Sequence, residues 1–163
     1  MKLSPIQLLE SSIEKILVER VRGDVSKEEG EMSNTLDFQV FKEIKPLPGF
    51  WEQPPEPADL KERTFMVTLG IRTPATKSFH NYGFELVVSG VLVSLREEYR
   101  SHSVQDMVLE YGLTLLYGIA REQFTATTAR MSNGPCVLPT MSFIGEISSS
   151  NKTDATLSNT SSI

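Results

Sequence analysis

Cysteine is nearly absent from this 163-residue sequence, in which Cys136 stands alone. A lone thiol closes no internal disulfide, so the fold is not a disulfide scaffold. Histidine is also scarce, with His80 and His102 the two examples. No HExxH, CxxC or GxSxG pattern and no glycine-rich phosphate loop occurs. Three or four converging metal ligands are not supplied. These lacks predict no catalysis, no cofactor and no metal. Long apolar runs are missing, and none approaches the roughly 20 residues that span a bilayer. Positive charge is short as well: 16 Lys and Arg stand against 21 Asp and Glu, for a net charge of −5. That balance argues against nucleic-acid binding, which needs a basic face to neutralise phosphates. It favours solubility and suits partners that carry positive charge.

The residues that are present read as globular. Hydrophobic residues make up 39% and charged residues 23% of the chain, enough for one domain with a moderate core. The opening MKLSPIQLLESSIEKI has charges and a proline too early for a signal peptide, so the expected compartment is the cytoplasm. Ser4-Pro5 has the chemistry of a helix start, followed by one short turn or a tether over Ile6, Leu8 and Leu9. Ser12 to Val21 is read as a strand, with Ile13, Leu17 and Val21 in one phase. A polar crossover loop, RGDVSKEEGEMSN, comes next.

Thr35 to Ile44 alternates cleanly, with Leu36, Phe38, Val40 and Ile44 on one face and Asp37, Gln39 and Glu43 on the other. Arg63 to Thr73 repeats the pattern with Phe65, Val67, Leu69 and Ile71. Phe79 to Leu95 is apolar on both faces, as in a central strand or one whose second face meets another subunit. From Ser103 to Arg130 the period changes. Val104, Met107, Val108, Tyr111, Leu115, Ile119 and Phe124 recur at three- and four-residue steps, the mark of a long amphipathic helix, capped by Ser103. Asn133-Gly134-Pro135 stops it. The expected fold class is α+β: a four-stranded antiparallel sheet followed by one long helix packed on one face. Residues 1–147 form the domain, and 148–163 a disordered polar tail.

The segment LLYGIAREQFTATTARMSNGPCVLPTMSF resembles the SecB family of export chaperones. Ala120, Arg121, Glu122, Thr125, Arg130, Leu138, Pro139 and Phe143 stand at the family's spacing without a gap. Glu85 and Gly90-Val91 match the family's fourth strand, and the opening LSPIQLL…IEKILVE is similar to divergent members. The chain departs from the pattern in having Gly118-Ile119 where the family has Pro-Tyr. It also lacks a second amphipathic helix after Phe143, and its connection KPLPGFWEQPPEPADLKE is long where the family has a tight turn.

The resemblance implies an ATP-independent holdase that binds unfolded or precursor polypeptides in apolar grooves between sheet and helix. It also implies a homo-oligomer, a dimer of dimers, without membrane insertion, and docking to a translocase motor as in protein export. The alternative is a dedicated chaperone for one antitoxin-like or phage protein on the same fold. Client-binding candidates are Leu36, Phe38, Val40, Tyr82, Phe84 and Phe143, because apolar contact tolerates many sequences. Phe50 and Trp51 join them as a lid or anchor in a proline-stiffened loop, or as a plug on the sheet. Glu85 and Gly90 are assigned structural or oligomeric roles. So are Arg121 and Glu122, read as an ion pair closing the helix against the sheet or a neighbouring subunit.

Overall fold

The computed structural model describes residues 4–21, 38–74, 78–100 and 102–143. Four strands, β1 (Ile6–Arg20), β2 (Gln39–Pro46), β3 (Thr64–Arg72) and β4 (Tyr82–Ser94), precede one helix, α1 (Val104–Thr128). All strand pairs are antiparallel and the order across the sheet is β1-β4-β3-β2. The α+β expectation holds. Leu36, the crossover loop and the tail at 148–163 lie outside the described residues.

The alternation in β3 and β4 sorts side chains between two faces. Phe65, Val67, Leu69, Ile71, Tyr82, Phe84, Leu86, Val88 and Leu92 are buried in one cluster with Leu113, Leu116, Ala120 and Phe124 of α1. Strand β4 is central. Its second face is covered within the chain at the end holding Val91 and Val93 and open at Glu85 and Val87. Val91 and Val93 are buried, and Thr64, the partner of Val93, accepts a hydrogen bond from the Trp51 indole in the β2–β3 connection. The β3–β4 turn closes at His80-Asn81, both with positive φ. That geometry matches the right-handed twist of the strands it joins.

Two expectations for the N-terminal segment are corrected. Ser4-Pro5 does not start a helix, since Ile6 and Leu8 already pair with Ser94 and Leu92. Tertiary pairing outweighs the local helix signal. Nor do Ile13 and Leu17 share a phase. The register shifts at Leu8/Glu10 and again at Ile13/Lys15, each an extra residue that reverses the facing of the residues after it. Ile13 therefore pairs with Val88 on the helix side, and Leu17 with Glu85 on the other.

Helix α1 is capped as expected, with Ser103 Oγ accepting the Asp106 N–H at 3.0 Å. Gly112 lies over Leu92 and Val67, and the Phe124 ring meets Tyr82 and Phe84. The helix thus runs opposite in direction to β4. It packs mainly over β4, then β3 and β1, and hardly extends to β2. Gly90 sets the approach: a β-carbon there would come within 2.9 Å of both Leu116 and Leu8. Gly90→Val is expected to overpack this seam and cost about 1–3 kcal/mol, read as a lower urea midpoint at unchanged slope.

Candidate functional site

Three surfaces build on this frame. The first is a clamp between α1 and the segment after it. Tyr117 Oη donates to the Pro139 carbonyl at 2.5 Å, and Arg121 Nε donates to the Leu138 carbonyl at 2.8 Å. Thr128 Oγ1 accepts the Cys136 N–H at 2.9 Å, while its own proton is placed best for the Phe124 carbonyl at 2.9 Å. Tyr82 Oη donates to the Gly134 carbonyl. Cys136, Leu138 and Phe143 are buried, with Phe143 edge-on to Tyr117. The segment forms no strand, so its carbonyls are satisfied by helix side chains in place of a ladder. Arg121 is therefore a fastener for this segment. Arg121 and Glu122 thus do not close the helix against the sheet as a pair, because Arg121 is engaged by Leu138 and the Glu122 side chain is on the exposed face of the helix. Burial pushes both the Tyr117 hydroxyl and the Cys136 thiol above their ordinary pKa, partly offset by the nearby Arg121 charge and the Val137 N–H respectively.

The second surface is the cap made by the β2–β3 connection. Two short 3-10 turns, Pro48–Phe50 and Ala58–Lys61, fold it back. Phe50 and Trp51 meet edge to face at 5.6 Å, and Trp51 Nε1 donates to Thr64 Oγ1 at 3.0 Å. Buried Arg63 holds Asp59 across one turn. Both aromatics are half-buried on the face opposite the helix.

The third surface is the inner, helix-side face of β2. Register places Val40 beside Ile71 and Ile44 beside Val67. The partly buried Phe38 packs edge-on to Phe79 and Phe84. Because α1 hardly extends to β2, Val40 is left exposed and Phe38 and Ile44 half-buried. The residues expected at a client site are thus divided. Phe38 and Val40 share this inner face, Phe50 and Trp51 lie across the sheet, and Tyr82, Phe84 and Phe143 are buried core residues, of which Phe84 packs on Phe38. Glu85 is on the outer face, paired with Lys15.

Exposed apolar residues complete the picture. Tyr111 and Leu115, expected in the apolar stripe of the helix, are among them, because the buried face runs through Val108, Gly112, Leu116, Ala120 and Phe124. Leu9, Ile13, Ile16 and Leu17 stand along the β1 edge, Tyr111 and Leu115 on the outward side of α1, and Phe41 on the outer face of β2. Phe41 had a signal: it falls in the polar phase between Gln39 and Glu43. The β1 residues had none, because the two bulges scramble their phase. Among the described residues no three His, Cys, Asp or Glu side chains converge as metal ligands. No described helix is long and apolar enough to cross a membrane.

No protein-family model matches the chain, and no curated protein matches it. Among solved structures it is similar in fold to a SecB-like chaperone of Mycobacterium tuberculosis in complex with a ChAD peptide from the HigA1 antitoxin. The TM-score is 0.51 at 13% identity, over 85% of this chain and 88% of that one.

The clamp makes a pH-dependent prediction. An unfolded tyrosine ionises near pH 10, and burial keeps Tyr117 neutral above that in the fold. Its contribution is complete below about pH 10 and is lost as pH rises further, since the unfolded chain deprotonates first. Tyr117→Phe should cost about 1 kcal/mol at pH 7 and show a smaller alkaline loss than the parent, measured by urea unfolding from pH 7 to 11.

Proposed function

We propose that this chain is a polypeptide-binding chaperone scaffold of SecB type, acting without nucleotide on unfolded or precursor polypeptides. One observation carries the reading. The inner face of β2, with Phe38, Val40 and Ile44, lies on an edge strand beyond the cover of α1. Lys42 shares this face between Val40 and Ile44. A largely apolar face with one lysine thus borders the edge strand of the described sheet. Such an edge offers main-chain hydrogen bonds and sequence-tolerant contact together. The fold similarity to a chaperone solved with a peptide bound supports it. The Leu9, Ile13, Ile16 and Leu17 edge of β1 and the Tyr111–Leu115 stripe of α1 support assembly of several copies, with β2 left for the client. Action in the cytoplasm and delivery to a translocase motor belong to the same reading.

A second reading is a dedicated chaperone for one partner. It is favoured by the antitoxin peptide in the similar structure and by the long Phe50-Trp51 connection. Aggregation assays separate the two. A general holdase suppresses aggregation of several unrelated denatured proteins near stoichiometric amounts, and Val40→Asp lowers that suppression several-fold at unchanged secondary structure. Protection of a single protein would establish the dedicated role, and no protection of any would sink both. Light scattering is expected to give a mass above that of the single 18.2 kDa chain, and a strict monomer would remove the assembly proposed for β1.

A further inference from the structure

The outer face of the sheet carries a pattern that the inner-face reading does not use. Register aligns two rows across the strands. In one, Phe41, Gly70, Val87 and Lys15 stand side by side; in the next, Gln39, Arg72, Glu85 and Leu17. Gly70 is necessary to the first row, because a β-carbon there would overlap the Phe41 ring, which lies across it. The ring is nonetheless 52% exposed, so one face packs on backbone and the other is open. Between the rows runs a cleft of about 380 Å³ whose lining includes Gln39, Val40, Phe41, Arg72, Glu85 and Val87.

The charges of this cleft are unevenly matched. Glu85 is neutralised by Lys15 at 2.5 Å, and the neighbouring Glu43 by Lys45 at 2.8 Å. Arg72 turns away from Glu85 and donates through Nε to the neutral amide oxygen of Gln39 at 2.6 Å. Among the described residues it has no carboxylate partner. Glu19 lines the adjoining cleft but stands two strands away, about 10 Å by strand spacing. The open Nη edge of Arg72 fits a carboxylate. The rows are two residues apart along each strand, about 6.7 Å, which is also the spacing of same-side residues in an extended peptide.

We propose that this outer face is a second recognition site, for an extended partner segment that presents an aromatic side chain to Phe41 and, two residues away, a carboxylate to Arg72. Its recognition groups are Phe41 and Arg72 on the outer face, whereas register turns Val40 and Ile44 toward the inner one, so it does not depend on the inner-face reading. The test is fluorescence anisotropy with the fluorescein-labelled, end-blocked peptide Gly-Ser-Trp-Ser-Asp-Ser-Gly. Saturable binding is expected, at least tenfold weaker when its Asp is replaced by Lys or its Trp by Ala. Phe41→Ala and Arg72→Gln, both at exposed side chains, should each weaken binding at least tenfold at unchanged circular dichroism, while Ile44→Thr on the inner face leaves it intact. Absence of saturable binding, equal affinity for the Asp and Lys peptides, or insensitivity to Phe41→Ala and Arg72→Gln would overturn the proposal. So would a drop in assembly mass on either substitution, which would make the face a contact between copies of this chain.

Discussion

The close approach of α1 to the sheet at Gly90 and Gly112 governs the character of the remaining surfaces. With no side chain at Gly90, Leu116 and Leu8 meet over β4, and with none at Gly112 the helix backbone settles onto Leu92 and Val67. Interiors pack at crystal-like density, so a seam this tight permits little sliding. The helix is thereby seated over the central strand. One helix so placed covers β4 and β3 well, β1 in part and β2 hardly at all.

The clamp arises from the same placement. Its helix side chains Tyr117, Arg121 and Thr128 are aimed at a segment that would otherwise carry unsatisfied backbone groups. This gives the Ala120 to Phe143 resemblance a physical content. Ala120 is small because it is buried against the sheet, Arg121 fastens Leu138, and Leu138 and Phe143 are buried in the core. The motif is a structural one. It supports the fold more directly than it supports any particular client.

The two sheet faces then differ in chemistry. The helix side offers aliphatic and aromatic surface at β2 from Phe38, Val40 and Ile44, with Lys42 set by register on the same face between Val40 and Ile44. The outer side mixes an aromatic platform with Arg72, a cation without a carboxylate partner among the described residues, beside the Lys15-paired Glu85. Burial of apolar area provides affinity with little discrimination, whereas a forked guanidinium beside a ring selects for geometry and charge. A scaffold holding both has the means for tolerant and selective contact on separate faces.

Much of this architecture was legible in the residues. Alternation in β3 and β4, the change of period at Ser103 and the Asn133-Gly134-Pro135 stop each reflect local sterics and burial, which act within a few positions of the chain. They determined the strands, the helix and its cap, and most of the core. Which apolar residues would be core and which would be surface was decided by tertiary structure alone. Tyr82 and Phe84 alternate in sequence much as Phe38 and Val40 do, yet the helix covers the first pair and stops short of Val40. The bulges near Leu9 and Glu14 reset the facing of β1 through pairing with a strand some 70 residues away, and Phe41 became a platform because register set it opposite a glycine. Such outcomes depend on partners distant in the chain, and no local pattern carries them.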